Sequence, residues 1–150
     1  MICFSFFYGC KNSKAISENQ SEIQGASKIL FLNYSIEKTS NGKRTIQFIN
    51  KKIVDGKLKP IPFESIENGI VGDLIFTEFD KKSKVLHQLL IKNPLFKTIE
   101  YVDDSKNFKT ETIKSDKTQF SIRLQLNSNT KYITISNFAE NDPLIKTQIN

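Results

Sequence analysis

The chain is poor in the residues that most often carry chemistry. Its 150 residues include no tryptophan, one methionine, two cysteines and one histidine. Both cysteines, Cys3 and Cys10, lie in the first ten residues, so nothing downstream can hold a disulfide framework or a thiolate metal site. The single histidine, His87, is accompanied by no Gly-x-Ser-x-Gly elbow. Alternation puts it on one strand face with Val85 and Leu89, the position of a partly buried structural side chain. Six glycines are dispersed, and Gly69-x-x-Gly72 leads into Asp73 rather than a lysine, so no phosphate-cradling loop is formed. Asp103 and Asp104 lack the alternating carboxylates of a calcium loop and read as a turn. The expectation is a protein without catalytic residues, metal or cofactor. A hydrolase built on His87 is the least favoured reading.

Arginine is also scarce. Of 22 basic residues only Arg44 and Arg123 are arginines, and the net charge is +6. Nucleic-acid sites favour the planar guanidinium and cluster it, whereas these lysines are scattered singly or in pairs such as Lys51-Lys52 and Lys81-Lys82. The charge therefore describes a solvated surface, and no nucleic-acid partner is expected.

Long apolar runs are missing except at the start. Ile2, Phe4, Phe6, Phe7 and Tyr8 make the first ten residues almost wholly apolar, and the run stops at Gly9-Cys10 before a polar stretch from Lys11. It is about half the length a bilayer span requires. Phe7-Tyr8-Gly9-Cys10 resembles the lipobox of a bacterial lipoprotein: glycine precedes a cysteine at the end of an apolar h-region. The style of the leader and the composition resemble lipoproteins of the Bacteroidota. No basic residue precedes Cys10, so the expected true start codon lies upstream of Met1. The resemblance implies a signal peptide over 1–10, lipidation at Cys10, a flexible linker over 11–27 and an anchor in the outer membrane. A linker of that length would hold the domain about 20–25 Å from the anchor. In that group acidic residues after the cysteine favour surface export; Lys11-Asn12-Ser13-Lys14 has none, which implies a domain facing the periplasm.

From Lys28 the hydrophobic period is two. Leu30, Leu32, Tyr34 and Ile36 mark a first strand, and Asn41-Gly42 suits a hairpin loop into a second over Arg44 to Val54. Pro60 and Pro62 forbid a central strand between Lys57 and Val71. Further extended runs are Asp73 to Phe79, Lys84 to Lys92, Phe96 to Val102, Lys109 to Lys114, Phe120 to Leu126 and Tyr132 to Phe138, each bounded by turn residues. Lys109 to Lys114 reads as an exposed edge strand. Ala139 to Asn150 reads as a polar, frayed tail.

Seven or eight short strands predict an all-β domain over 28–138, an antiparallel, immunoglobulin-like β-sandwich, with a small lipocalin-like β-barrel as the alternative. Tyr101 and Tyr132 stand near strand ends, where aromatic rings meet sugars or partner chains. The expected function is that of a non-catalytic, membrane-anchored envelope lipoprotein working as a protein-interaction module or an accessory subunit of an envelope complex. The alternative is a carrier of a small apolar ligand inside a barrel.

Overall fold

Period-two alternation becomes strand pairing almost throughout. The computed structural model describes residues 27–59 and 64–149. Cys10, the expected leader and nearly all of the expected linker therefore lie outside the described residues. Within them nine strands form: β1 (Lys28–Lys38), β2 (Arg44–Asp55), β3 (Leu74–Phe79), β4 (Val85–Ile91), β5 (Phe96–Val102), β6 (Phe108–Lys114), β7 (Lys117–Gln125), β8 (Tyr132–Asn137) and β9 (Pro143–Gln148), with one short 3-10 helix at Ile66–Asn68. Every pairing is antiparallel.

The strands make three sheets, ordered β2-β1-β7, β4-β3-β8-β9 and the ribbon β5-β6. The first two face each other as a β-sandwich. None of the three closes on itself among the described residues, so the barrel alternative gives way to the sandwich. β1 is central in its sheet and presents Leu30, Leu32, Tyr34 and Ile36 inward, all fully buried. β7 places Leu124, Ile122 and Phe120 directly opposite Leu30, Leu32 and Tyr34. The other sheet answers with Leu74, Phe76, Leu89, Ile133 and Ile135. Tyr34 joins the layers: its ring stacks on Phe120 at 5.6 Å and meets the edge of Phe48 at 5.7 Å. Its hydroxyl donates to Thr147 Oγ1 of β9 at 3.1 Å. Burial pushes the Tyr34 phenol up to about 12, against the opposing pull of the Thr147 hydrogen bond.

One departure from simple alternation, in β2, has a clear cause. Asn33 pairs with Asn50 but Tyr34 with Phe48, so Ile49 is the extra residue of a β-bulge. The bulge turns Lys51 and Ile53 to the face that Ile46 and Phe48 hold earlier in β2. Lys51 then reaches the seam of the sandwich, where its ammonium donates to the Ile149 carbonyl at 2.6 Å.

The chain end also differs from expectation. The expected frayed tail over 139–150 is, through Ile149, folded: β9 pairs with β8 from Pro143 to Gln148, and Ile149 is buried. Ile145 stands opposite Ile135 and Thr147 opposite Ile133. The apolar residues of this short strand are few, but each packs against a strand already in the core. The folded domain thus runs through Ile149.

Candidate functional site

Four places concentrate polar and exposed aromatic side chains, including those that sequence reasoning singled out. The first is the ribbon. Leu95 is buried in the core and roots it, while Ser115 N–H donates to the Leu95 carbonyl at 2.9 Å and closes its base. Beyond that, β5 and β6 pair only with each other among the described residues. All of β6, and all of β5 but Ile99, are exposed. The ribbon therefore has no inner face, yet it carries Phe96, Tyr101, Val102, Phe108 and Ile113, each exposed. Val102 and Phe108 stand opposite each other next to the tip turn, and Phe108 is 85% exposed. Lone two-stranded hairpins are marginal in water, and exposed clustered apolar side chains mark interaction surfaces. Tyr101 belongs to this arm, as does the expected edge strand Lys109 to Lys114, which extends one residue earlier to Phe108.

Asp103 shapes the tip. Its Oδ1 accepts from the N–H groups of Ser105 and Asn107, both at 2.9 Å, and its Oδ2 lies 3.7 Å from Lys109 Nζ. Both carboxylate oxygens thus serve the turn, as the sequence suggested.

Tyr132 sits elsewhere, on β8 of the four-stranded sheet. One face of its ring stacks on Phe79 at 4.9 Å, and Lys146 Nζ lies 3.7 Å from the ring centroid. Its hydroxyl donates to Ser83 Oγ at 2.9 Å. The fold therefore engages the groups by which this ring would meet a ligand. Tyr101 and Tyr132 are on separate sheets and are not brought into one site.

The third place is a buried polar cluster that sequence reasoning missed. Glu78 falls on the same face of β3 as Leu74 and Phe76 and is 1% exposed. Thr130 Oγ1 donates to its Oε1 at 3.3 Å, and His87 Nδ1, opposite it on β4, lies 3.5 Å from Oε2. Burial pushes the Glu78 carboxyl up to about 7, partly offset by the Thr130 hydrogen bond. The signal was available: strict alternation through Leu74-Ile75-Phe76-Thr77-Glu78 already assigns Glu78 to the apolar face.

The fourth lies at the other end of the sandwich. Arg44 donates to the Gly72 carbonyl and to Asn137 Oδ1. It stands in a cleft of about 780 Å³ lined also by Lys38, Lys43, Lys114, Asp116 and Glu140. Burial lowers the Arg44 pKa, opposed by Glu140 and Asp73. Next to it, buried Asp73 accepts from the N–H groups of Asn93 at 2.9 Å and Ile70 at 3.1 Å. It also meets Lys92 Nζ at 3.3 Å. Lys92 is raised above its ordinary value chiefly by its hydrogen bond to Glu64 at 2.8 Å. Asp73 works here as a staple between segments.

Comparison with protein-family models, curated proteins and solved structures finds no match for this chain.

Proposed function

We propose that the chain is a non-catalytic, lipid-tethered module of the bacterial cell envelope that works by binding protein, with the β5–β6 arm as its binding element. One observation carries the reading. A seven-residue strand pair bears exposed apolar side chains on both faces and at its tip, while the core is built without it. At about 3.3 Å per residue the arm is about 20 Å long, enough to engage a partner with either free edge by strand addition. The leader supplies the address: Cys10 would carry the lipid, and the segment over 11–27 would place the domain near the membrane. Oligomerisation and docking at a membrane surface both reward an exposed arm, because tethering raises effective concentration without new contacts.

The test has two parts. Labelled palmitate is expected to enter the protein in a Gram-negative host and to be lost on Cys10→Ser. A Val102→Ser, Phe108→Ser variant is expected to stay folded and lipidated while losing its envelope partners in a cross-linked pull-down. Retention of the same partners by that variant would remove the arm from the reading.

A further inference from the structure

We infer that the partner of the arm is a second copy of the same chain, paired β5 edge to β5 edge about Ile99. The inference rests on the proposed role of the arm and names its occupant.

The hydrogen-bonding parity of the arm is fixed at both ends. Ser115 N–H donates to the Leu95 carbonyl, and Asp103 N–H donates to the Asn107 carbonyl at 3.0 Å. The register between them is unbroken, from Phe96 opposite Lys114 to Val102 opposite Phe108. In an antiparallel pair, bonded and non-bonded positions alternate. The odd-numbered residues Lys97, Ile99 and Tyr101 therefore exchange bonds with β6. Thr98, Glu100 and Val102 direct their N–H and C=O groups outward, along an edge that no described strand pairs with; at its start Phe96 offers only its C=O, because its N–H donates to the Asn93 carbonyl at 3.1 Å. On β6 the outward residues are Phe108, Thr110, Thr112 and Lys114.

Two copies of an edge can pair about a two-fold axis only if outward residues meet outward residues, and such an isologous contact must be self-complementary. Centred on Ile99, β5 pairs along all seven residues. Phe96 meets the other copy's Val102, Lys97 meets Tyr101, Thr98 meets Glu100, and Ile99 meets Ile99. The ends of the ladder are apolar, Lys97 is offered an aromatic face, and no like charges coincide. A register shifted to centre on Lys97 would set lysine against lysine. The β6 edge fits less well: its full-length register centres on Glu111 and places two glutamates opposite each other, a destabilising arrangement. Its registers free of like-charge pairs cover five residues at most. The β5 pairing also covers Phe96, Tyr101 and Val102, which are 46–54% exposed in one copy.

The result is a four-stranded sheet, β6-β5-β5-β6, with the two sandwiches at opposite ends. A single strand pair buries less than the roughly 1,200 Å² of a stable interface, so the dimer is concentration-dependent in solution and is favoured by tethering to one membrane.

Sedimentation equilibrium on the full chain under reducing conditions is expected to show a weight-average mass rising from 17.2 kDa toward twice that value as concentration increases. Thr98→Pro removes an N–H that only a second copy uses, and is expected to weaken the dimer at least tenfold. Thr110→Pro makes the same demand on the other edge and is expected to leave dimerisation unchanged. In a chain with Cys3→Ser and Cys10→Ser, Ile99→Cys is expected to form a disulfide-linked dimer on mild oxidation, and Ile113→Cys is not. A monomer at every concentration, or equal loss with both proline variants, overturns the inference. If the chain is monomeric but the Val102→Ser, Phe108→Ser variant still loses envelope partners, the broader reading stands and only the second copy is excluded. If neither dimer nor arm-dependent partner is found, both fail.

Discussion

Glu78 gives the sharpest handle on the energetics of this sandwich. Its carboxyl lies on the core face of β3, held by Thr130 and facing His87, and burial raises its pKa from 4.5 to about 7. A carboxyl raised in the folded state binds its proton more tightly there than in the unfolded chain. Its contribution to stability is full below about pH 4.5 and is lost as pH climbs through about 7. Each unit corresponds to about 1.4 kcal/mol, so the loss across that window is about 3 kcal/mol. Glu78→Gln keeps the shape and one acceptor for Thr130 but never ionises. The variant should therefore match the parent near pH 4, lead it by about 1 kcal/mol at pH 5 and exceed it by about 3 kcal/mol at pH 8. With a urea m-value near 2 kcal/mol/M, that is a midpoint difference of about 1.5 M. Urea titrations of both proteins at pH 4, 5, 6, 7 and 8 provide the assay. His87 Nδ1 lies 3.5 Å from the Glu78 carboxylate, and His87→Gln measured alongside separates the two groups. Equal pH slopes for parent and Glu78→Gln would refute the argument.

Other substitutions test the packing. A Cβ at Gly69 would lie 2.2 Å from Phe138 Cε2. Gly69→Ala is therefore expected to cost about 1–3 kcal/mol by overpacking, and Phe138→Leu in the same chain to recover part of it in a double-mutant cycle. Asp73→Ala leaves the N–H groups of Ile70 and Asn93 without their carboxylate. A loss of about 2–4 kcal/mol is expected, against a small effect for Asp103→Ala in the exposed tip. Phe76→Ala empties a fully buried site and should cost about 3–5 kcal/mol by chemical denaturation.

Much of the sandwich was legible in the chain because one face of each strand had to be apolar. Leu30, Leu32, Tyr34 and Ile36 share one face of β1, and all four are buried. Gly42 takes φ 82°, as its Asn-Gly turn implied. The shift of pattern after Phe48 in β2 is the bulge at Ile49. What escaped has physical reasons too. β9 carries only Leu144 and Ile145 among polar neighbours, with Ile149 just beyond it, and its burial comes from β8 rather than from its own periodicity. The separateness of the β5–β6 arm is a tertiary fact, since alternation in Phe96 to Val102 reads the same for a strand of the core. Tyr132 shows a third limit: strand-end position suggested availability, but Phe79, Lys146 and Ser83 engage its ring and hydroxyl. Glu78 is readable from its face, although buried carboxylates are rare enough to argue against placing it in the core.

The central claim is that the β5 edge is free in one copy and is covered by its partner. Amide hydrogen exchange of the full chain, followed residue by residue by NMR at low and high protein concentration, tests it most directly. In dilute protein Lys97, Ile99 and Tyr101 should be protected while Thr98, Glu100 and Val102 exchange freely. At high concentration those three should become protected, and Thr110 and Thr112 of β6 should not. Protection of Thr98 and Glu100 at every concentration, or of the β6 edge in their place, would contradict the account.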